Sequence, residues 1–432
     1  MEYLLLLSAP LIGLLVGLLP SMGATMVMLL LYPILQHINF IYIILFYAIM
    51  INASQFSGSV SAIGFNILGE TSSAPAIKER PLIVKGGMHM NALRNTMYGS
   101  LVGVLFGMII LIFSISTASA YPFLMRSDVS AFFLFIAMFF LIFWNKSYVT
   151  NAMLMAIGYI IGIVGYDLIN GNILTFGNKY LSGGIPDMAL LFGLYMVPRL
   201  HQMMEESKVK KLNLGQKLKY TPHFFSMLRG GAVGSILGLV PFIGTLLHSN
   251  VAYDLEKFFH KKKNSEDALK RITAAETANN AGQITVLIPL LVIGLAIQPS
   301  EIILLQLIES QVWTAAQTYD WKFLSLLYVS IPVGCIFTAF LCYNIVRNVM
   351  KFFYNNVQFI LYIILVISLL NILYMGYQAD QTIYYFLVLG ISTAIGLVLQ
   401  KKKIDVLPLI IMFLLENNYS DIIKRIMVMY LQ

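Results

Sequence analysis

Long apolar stretches follow one another along nearly the whole chain, and they constrain its fold more than any other feature. They lie at about residues 3–19, 24–35, 39–51, 95–116, 129–144, 150–166, 186–199, 230–247, 284–297, 323–346, 357–375, 381–399 and 404–415. A helix that crosses lipid needs about 20 apolar residues, so several of these stretches are too short to cross alone. Only 11% of the residues are charged, whereas soluble domains carry roughly a quarter. The sequence therefore predicts an all-α polytopic membrane protein with about 10–12 transmembrane or re-entrant helices.

Positive charge is concentrated in the short connections between the apolar stretches. The formal net charge is +8, from 28 Lys and Arg against 20 Asp and Glu. The basic connections read "IKERPLIVKGG", "KVKKLNLGQKLK", "EKFFHKKKN", "VRNVMK" and "QKKKID". Basic residues in short loops mark the cytoplasmic side of a multi-pass protein. Because the clusters are divided among connections, they do not indicate a nucleic-acid-binding surface.

Two apolar stretches are interrupted in the same way, at "GLLPSMGATMVMLLLYP" and at "GLVPFIGTLLHSN". Both contain a G-L-x-P sequence with a second glycine three residues after the proline. The matched residues are Gly17, Leu18, Pro20 and Gly23 in the first copy, and Gly238, Leu239, Pro241 and Gly244 in the second. The sequence thus predicts two broken helices at corresponding places.

The most polar long connection, residues 199–225, divides the chain into two halves. We expect a first transmembrane repeat over 1–198, a polar cytoplasmic connection over 199–225, and a second transmembrane repeat over 226–432. Short Gly/Pro-interrupted segments at corresponding places in two halves are typical of secondary transporters built from inverted repeats. Basic residues flank the second interruption on both sides, which favours a hairpin that enters and leaves on the cytoplasmic side.

The chemistry of a broken helix suits an anion. The break frees backbone N–H groups at the start of the next half-helix, where the peptide dipoles sum to a partial positive charge. Gly23 and Gly244 would let a ligand approach the backbone, and Ser21, Thr25 and Thr245 would add hydroxyl donors. The alternative is that Pro20, Pro241 and the glycines only kink helices or let them pack closely.

A polar cluster follows each interruption. The first contains Asn52, Ser54, Gln55, Ser57, Gly58, Ser59, Ser61 and Asn66, and the second contains Asn279, Asn280, Gln283 and Thr285. Amide side chains donate to carboxylates or accept toward Na⁺, so we expect substrate or ion contacts here. The alternative is ordinary hydrogen bonding between helices. Glu70 and Glu276 could bind a proton or Na⁺, or could serve as helix-end or salt-bridge residues.

Motifs of catalysis and of nucleotide binding are not found in the sequence. "HQMME" at His201 lacks the second histidine of a zinc-protease helix, and no Walker-type P-loop occurs. We therefore expect no enzyme activity, no resident metal and no cofactor, with Na⁺ or H⁺ as the coupling ion of a symporter. A membrane channel, an integral-membrane enzyme and a scaffold that docks a solute-binding protein are the alternatives.

Five stretches together resemble successive motifs of one family. They are "GLLPSMGAT", "SQFSGSVSAIGFNILGETSSA", "YDLINGNILTFGNKYLSGGIPDMALLFGLY", "AAETANNAGQITVLIPLLVIGL" and "LPLIIMFLLENN". In this order they resemble the large membrane permease of tripartite tricarboxylate transporters. The resemblance implies import of organic carboxylates such as citrate, driven by an ion gradient across the cell (plasma or inner) membrane. It also implies two partners, a small membrane subunit and an extracytoplasmic solute-binding protein, and leaves a homo-oligomer open.

Overall fold

Helices dominate the computed structural model, which describes residues 2–19, 23–65, 71–120, 135–136, 138–139, 142–143, 147–167, 171–206, 221–239, 245–293, 296, 298–309 and 321–416. The first half contains α1 (Glu2–Leu18), α2 (Ala24–Leu35), α3 (Phe40–Phe65), a 3₁₀ turn (Thr71–Ser73), α4 (Ala74–Lys85), α5 (His89–Ala120) and α6 (Tyr148–Gly162). A small antiparallel hairpin of β1 (Gly165–Asp167) and β2 (Gly171–Ile173) follows, and pairs Tyr166 with Asn172.

The remaining helices begin with α7 (Asp187–Leu191), which continues through a π-helical turn (Phe192–Met196) into α8 (Val197–Glu206). After the polar connection come α9 (Phe224–Leu237), α10 (Thr245–Phe259), α11 (Ser265–Thr285), α12 (Leu287–Ile293), α13 (Pro299–Glu309), α14 (Trp321–Gln378), α15 (Thr382–Lys401) and α16 (Leu407–Leu414). Asn356 has non-helical φ/ψ and marks a kink within α14.

Five helices in the described part are long and apolar enough to cross a membrane. The candidate spans are Phe40–Gly64, His89–Thr117, Phe323–Leu341, Gln358–Gln378 and Thr382–Lys401. The α3 span is 89% buried inside the protein, whereas the α15 span is only 22% buried. An apolar helix that leaves most of its surface uncovered is suited to lipid contact. The expected class, an all-α polytopic membrane protein, is confirmed.

Helices end and begin on either side of both G-L-x-P stretches. α1 ends at Leu18 and α2 begins at Ala24, whereas α9 ends at Leu237 and α10 begins at Thr245. The residues within the interruptions, 20–22 and 240–244, lie outside the described residues. α9 and α10 form an antiparallel hairpin, because Ser226 and Arg229 near the start of α9 both donate hydrogen bonds to Glu256 near the end of α10, at 2.6 and 2.7 Å.

Apart from Asn66, which lies outside the described residues, both polar clusters lie within continuous helices. The apolar stretch 39–51 ends at Ile51 in the sequence, yet α3 continues to Phe65, and α11 contains the second cluster without a break. Neither helix contains a proline, and serine and alanine are compatible with helix geometry. Each cluster therefore has a fixed helical periodicity, which determines the side chains that point toward a neighbouring helix.

Glycines bring the helices that carry the clusters into close contact with their neighbours. A Cβ at Gly13 would overlap the carbonyl oxygen of Met50, and one at Gly17 would overlap that of Ser54, so α1 packs directly on α3. On α9, a Cβ at Gly234 would overlap the carbonyl oxygen of Ala278 in α11. Small residues permit such close backbone approach between membrane helices. α1 on α3 and α9 on α11 are thus two tightly packed helix pairs.

Candidate functional site

The two polar clusters meet where α3 crosses α11. Asn279 Nδ2 donates a hydrogen bond to Gln55 Oε1 at 2.9 Å, and Ser59 Oγ donates to the carboxylate of Glu276. The residue order is reversed between the two contacts, so the helices are antiparallel. Asn52, seven residues before Ser59, is the central residue of the span Phe40–Gly64. The crossing therefore brings polar side chains to the middle of a candidate membrane span.

Glu276 is a buried carboxylate held by neutral donors. Its side chain accepts hydrogen bonds from Ser59, from Ser100 Oγ of α5 at 3.2 Å and from Asn280 Nδ2 at 3.1 Å. It is only 4% exposed. No ion pair involves it among the described residues. An uncompensated buried charge is costly, which makes this carboxylate a candidate for ion or proton binding.

Two other buried glutamates differ from Glu276 because each has an arginine partner. Arg271 Nε contacts Glu79 Oε1 at 2.8 Å, and Arg229 Nη2 contacts Glu256 Oε1 at 2.7 Å. Burial alone would raise the pKa of Glu79, but hydrogen bonds from Arg271 and Tyr253 outweigh it and hold that pKa below its ordinary value. Glu79 and Glu256 therefore each belong to a structural ion pair with an arginine.

Side chains from the 3₁₀ turn and from α10 extend the network on the side of Gln55. Ser72 Oγ donates to Gln55 Oε1 at 2.5 Å, and Ser249 Oγ donates to the backbone carbonyl of Ser72. The ring of His248, which is fully buried, lies against Gly282, where a Cβ would overlap it. The hairpin α9–α10 is thus in direct contact with the polar crossing.

The two clusters repeat one local structure. α3 reads N-A-S-Q over 52–55, and α11 reads N-A-G-Q over 280–283. Asn52 Nδ2 donates to the carbonyl of the residue four before it at 2.8 Å, and Asn280 Nδ2 does the same at 3.1 Å. Ser57 Oγ donates to the carbonyls three and four residues earlier, and so does Thr285 Oγ1. The same difference in residue number separates each of these α3 residues from its counterpart in α11.

A small cavity lies beside the crossing, between α3, α5, α11 and α14. Its polar lining residues are Asn52, Ser100, Asn280 and Thr338. The cavity volume is about 10 Å³, close to the space that one water molecule requires. Asn52 Oδ1 is buried and has no hydrogen-bond partner in the part of the chain that the structure describes.

The side-chain amide of Gln283 lies on the same face of α11 as Asn279 and Asn280. Gln283 is fully buried, and among the described residues neither its Oε1 nor its Nε2 has a hydrogen-bond partner. Its repeat counterpart, Gln55, accepts from both Ser72 and Asn279. A buried amide without partners is costly unless a ligand supplies them. Within the described part of the chain, no group of three or more His, Cys, Asp or Glu residues could hold a metal ion.

The residues expected from the sequence fall into four groups. The structure brings six together at the crossing, namely Asn52, Gln55, Ser59, Glu276, Asn279 and Asn280. Ser57 and Gly58 lie on the other side of α3, against Gly13 and Gly17 of α1. Pro20, Ser21, Asn66, Glu70, Pro241 and Gly244 lie outside the described residues.

The remaining three expected residues lie at the described ends of the half-helices. Gly23 is the residue before α2, has extended backbone, and has no atom within 4 Å of a Cβ position. Thr25 is half-buried in the first turn of α2. Thr245 begins α10.

Sequence reasoning did not single out Ser72, Ser100, Thr338 or Ser73, whose Oγ lies 3.3 Å from Ser59 Oγ. Ser100 is a small polar residue within the apolar span His89–Thr117. The glycines of α5 were a usable signal, because Gly99, Gly103 and Gly107 recur at every fourth position and each contacts α11. That spacing places one face of α5 against a neighbouring helix, and Ser100 is next to it.

Comparisons with known proteins identify one relative and one matching family. A protein of Agrobacterium vitis, described as an uncharacterized 52.8 kDa protein in the TAR-I ttuC' 3' region, is 26% identical over 303 residues. The match covers 67% of this chain and 60% of that protein's length. No solved structure matches the chain. Residues 4–411 match the tripartite tricarboxylate transporter TctA family. A transporter family, not an enzyme family, matches nearly the whole sequence, and the chain belongs to the tripartite tricarboxylate transporter TctA family.

Proposed function

We propose that this chain is the membrane subunit of a secondary active transporter that imports a small organic anion. The substrate is a tricarboxylate or dicarboxylate such as citrate, its import is coupled to Na⁺ or H⁺, and access to the site alternates between the two faces of the membrane. The observation that carries the proposal is the buried polar crossing of α3 and α11. Polar side chains inside a membrane protein are costly and are usually kept for a substrate or ion pathway.

The free amide of Gln283 supports an anionic substrate. Its Nε2 is a hydrogen-bond donor without a partner, and Asn279 next to it already donates to Gln55. Amide N–H groups are neutral donors, so they can hold a carboxylate without placing an arginine in lipid. The N-terminal end of α2, where Gly23 offers no side-chain cap, adds backbone donors of the same kind.

The repeated local structure supports an inverted repeat as the basis of alternating access. The N-A-S-Q and N-A-G-Q segments are in antiparallel helices that contact each other. Each of these helices has a glycine-bearing partner, α1 for α3 and α9 for α11. Two equivalent units of opposite direction around one site fit a transporter in which one unit moves against the other.

The size of the cavity implies that the site must open to admit substrate. A space of about 10 Å³ holds about one water molecule, and a tricarboxylate is many times larger. Substrate entry therefore requires α3 and α11 to separate on one side of the crossing. The chain is proposed to act in the cell membrane with a small membrane subunit and an extracytoplasmic solute-binding protein.

Uptake into liposomes tests the proposal. The chain is reconstituted alone and with its candidate partners, and radiolabelled citrate or dicarboxylate uptake is measured under imposed Na⁺ and pH gradients. We expect saturable, concentrative uptake. Flux that neither saturates nor accumulates substrate would indicate a channel and contradict the proposal.

A pair of variants distinguishes an effect on substrate binding from a general effect on folding. Gln283→Leu removes the free amide, and we expect KM for substrate to rise by about tenfold or more, the worth of one hydrogen bond to a charged group. Thr277→Val is the matched control on the same helix, because the buried Thr277 Oγ1 donates to the backbone carbonyl of Thr273 at 2.8 Å. Equal KM values for the two variants would exclude Gln283 from the substrate site.

A further inference from the structure

The correspondence between the two halves continues past the polar clusters. The difference in residue number that relates the N-A-S-Q segment to the N-A-G-Q segment also relates the helix ends that follow. α3 ends at Phe65 and α12 ends at Ile293, and the next helical segments begin at Thr71 and at Pro299. The 3₁₀ turn with α4 is therefore the repeat counterpart of α13.

One serine in each of these segments forms a different hydrogen bond. Ser72 Oγ donates to Gln55 Oε1 at 2.5 Å, which joins the 3₁₀ turn to the helix of its own half. Ser300, the counterpart of Ser72, instead shares a hydrogen bond of 2.9 Å with the hydroxyl of Tyr47 in the other half. Gln283, the counterpart of Gln55, is fully buried, and its amide has no partner among the described residues.

Helix packing differs between the halves at the same place. The 3₁₀ turn packs on α10 and α11 of the other half and on α3 of its own half. α13 packs on α2 and α3, which are the counterparts of α10 and α11, but it makes no comparable contact with α11 or α12 in the described part. The contact that differs is the one between each serine and its own glutamine. The structure thus contains two copies of one unit in two different states.

Tyr47 accounts for this difference. It is fully buried in α3 and binds Ser300, whereas its repeat counterpart in α11 is Ala275, which has no hydroxyl. Only one half therefore has a side chain that can hold the serine of the other half away from its glutamine. A buried amide without a partner is costly, so the bond between Tyr47 and Ser300 stabilises a state that would otherwise be disfavoured.

We propose that Tyr47 is a positioning residue that selects between two conformations of the protein. In this structure Ser72 binds Gln55 and Tyr47 holds Ser300. In the second conformation Ser300 Oγ donates to Gln283 Oε1, and Ser72 leaves Gln55. Inverted repeats that exchange their conformations produce alternating access. That the two conformations open to opposite faces of the membrane rests on the proposed function, whereas the exchange of hydrogen bonds does not.

Two substitutions that break the same contact should have different effects. Tyr47→Phe removes a hydrogen bond that only the first conformation makes, and one neutral hydrogen bond changes an equilibrium by about fivefold. Ser300→Ala removes one hydrogen bond from each conformation, so it should leave the balance nearly unchanged. If Tyr47 had only a local structural role, both substitutions would loosen the start of α13 and neither would affect the 3₁₀ turn.

Hydrogen exchange of the purified full chain in detergent micelles, without substrate, tests the proposal. Tyr47→Phe should accelerate exchange of the amides in the 3₁₀ turn by about fivefold, because the second conformation releases Ser72. The first turn of α13 should not exchange faster. Tyr384→Phe is the matched control, because its hydroxyl donates to the carbonyl of Gly184 at 3.2 Å, and both segments should exchange in it as in the wild type.

Three results would overturn the proposal: unchanged exchange of the 3₁₀ turn in Tyr47→Phe, acceleration confined to α13, or equal acceleration of the turn by Ser300→Ala. If Tyr47→Phe does not yield folded protein, Gln283→Leu replaces it. That variant removes the acceptor of the second conformation and should slow exchange of the turn. The predicted shifts without carboxylate uptake would leave the exchange standing and refute the proposed function. Concentrative uptake by a chain whose 3₁₀ turn does not respond to Tyr47→Phe would do the reverse.

Discussion

The buried pair of Arg271 and Glu79 offers a sharp test of how α11 is held in place. Arg271 Nε and Nη2 donate to the two carboxylate oxygens of Glu79, each at 2.8 Å. Nη1 donates to the backbone carbonyls of His260 and Lys262 at 2.7 and 3.1 Å. Arg271 is 4% exposed and Glu79 is 5% exposed. One guanidinium thus joins α4, the α10–α11 connection and the helix that carries Glu276.

Arg271→Met should reduce the free energy of unfolding by about 3–5 kcal/mol, because it leaves the Glu79 carboxylate buried without its cation. The two backbone carbonyls also lose their donor. Glu79→Leu combined with Arg271→Met removes both charges, and such replacements are often close to neutral. We therefore expect the double variant to recover most of the loss. The coupling between the two positions is the quantity that the double-mutant cycle isolates.

Unfolding by an increasing mole fraction of SDS in mixed micelles measures these differences. Lys270→Met is the matched control on the same helix, because the partly exposed Lys270 side chain makes only a long, 3.7 Å ion pair with Asp267, and ion pairs that water reaches contribute at most about 1 kcal/mol. A loss below about 0.5 kcal/mol for Arg271→Met, or a double variant no more stable than the single one, would refute the reasoning.

The remaining predictions concern the glycine contacts between helices, the pH dependence of stability and the hydroxyl group of Tyr253. Gly13→Ala and Gly234→Ala should each cost about 1–3 kcal/mol, because the new Cβ meets a backbone carbonyl. Gly390→Ala should not, since nothing lies within 4 Å of its Cβ position; equal SDS midpoints for all three would contradict this. Glu79 has a depressed pKa, so its stabilisation should persist above about pH 4.3 and be lost as the pH falls through its folded-state pKa. Melting temperatures between pH 7 and 3 should therefore fall less for Glu79→Gln than for the wild type, and parallel curves would exclude this contribution. Tyr253→Phe removes a 2.6 Å hydrogen bond to Glu79 and should cost about 1.5–3 kcal/mol in the same SDS assay, whereas a loss under 0.5 kcal/mol would count against it.

Hydropathy was sufficient to predict the fold class, because most of the apolar stretches in the described part lie in helices. The stretch 24–35 coincides with α2, and 381–399 lies close to α15 (Thr382–Lys401). The extent of α3 was not predictable from hydropathy, since its polar second half looks like a loop by composition alone. The strands β1 and β2 were also missed, because three-residue strands carry almost no periodic signal.

Only part of the site was predictable from the sequence. Clusters of amides and hydroxyls, such as Asn52–Ser61, stand out against an apolar background. Single polar residues such as Ser100 and Thr338 do not, because their role depends on which helices pack together. The matching of N-A-S-Q with N-A-G-Q could have been read from the sequence, yet its meaning depends on hydrogen bonds that only coordinates supply.

The close glycine contacts that pack α1 on α3 and α9 on α11 limit how these helices can move. A backbone oxygen that sits against a glycine leaves no room for one helix to slide or roll on the other without losing the whole interface. We therefore propose that each of these helix pairs moves as one body. Because α5 also packs on α11 through Gly99, Gly103 and Gly107, the movement left to the proposed transport cycle is between α1–α3 on one side and α5–α9–α11 on the other, at the cavity that Asn52 and Asn280 line together.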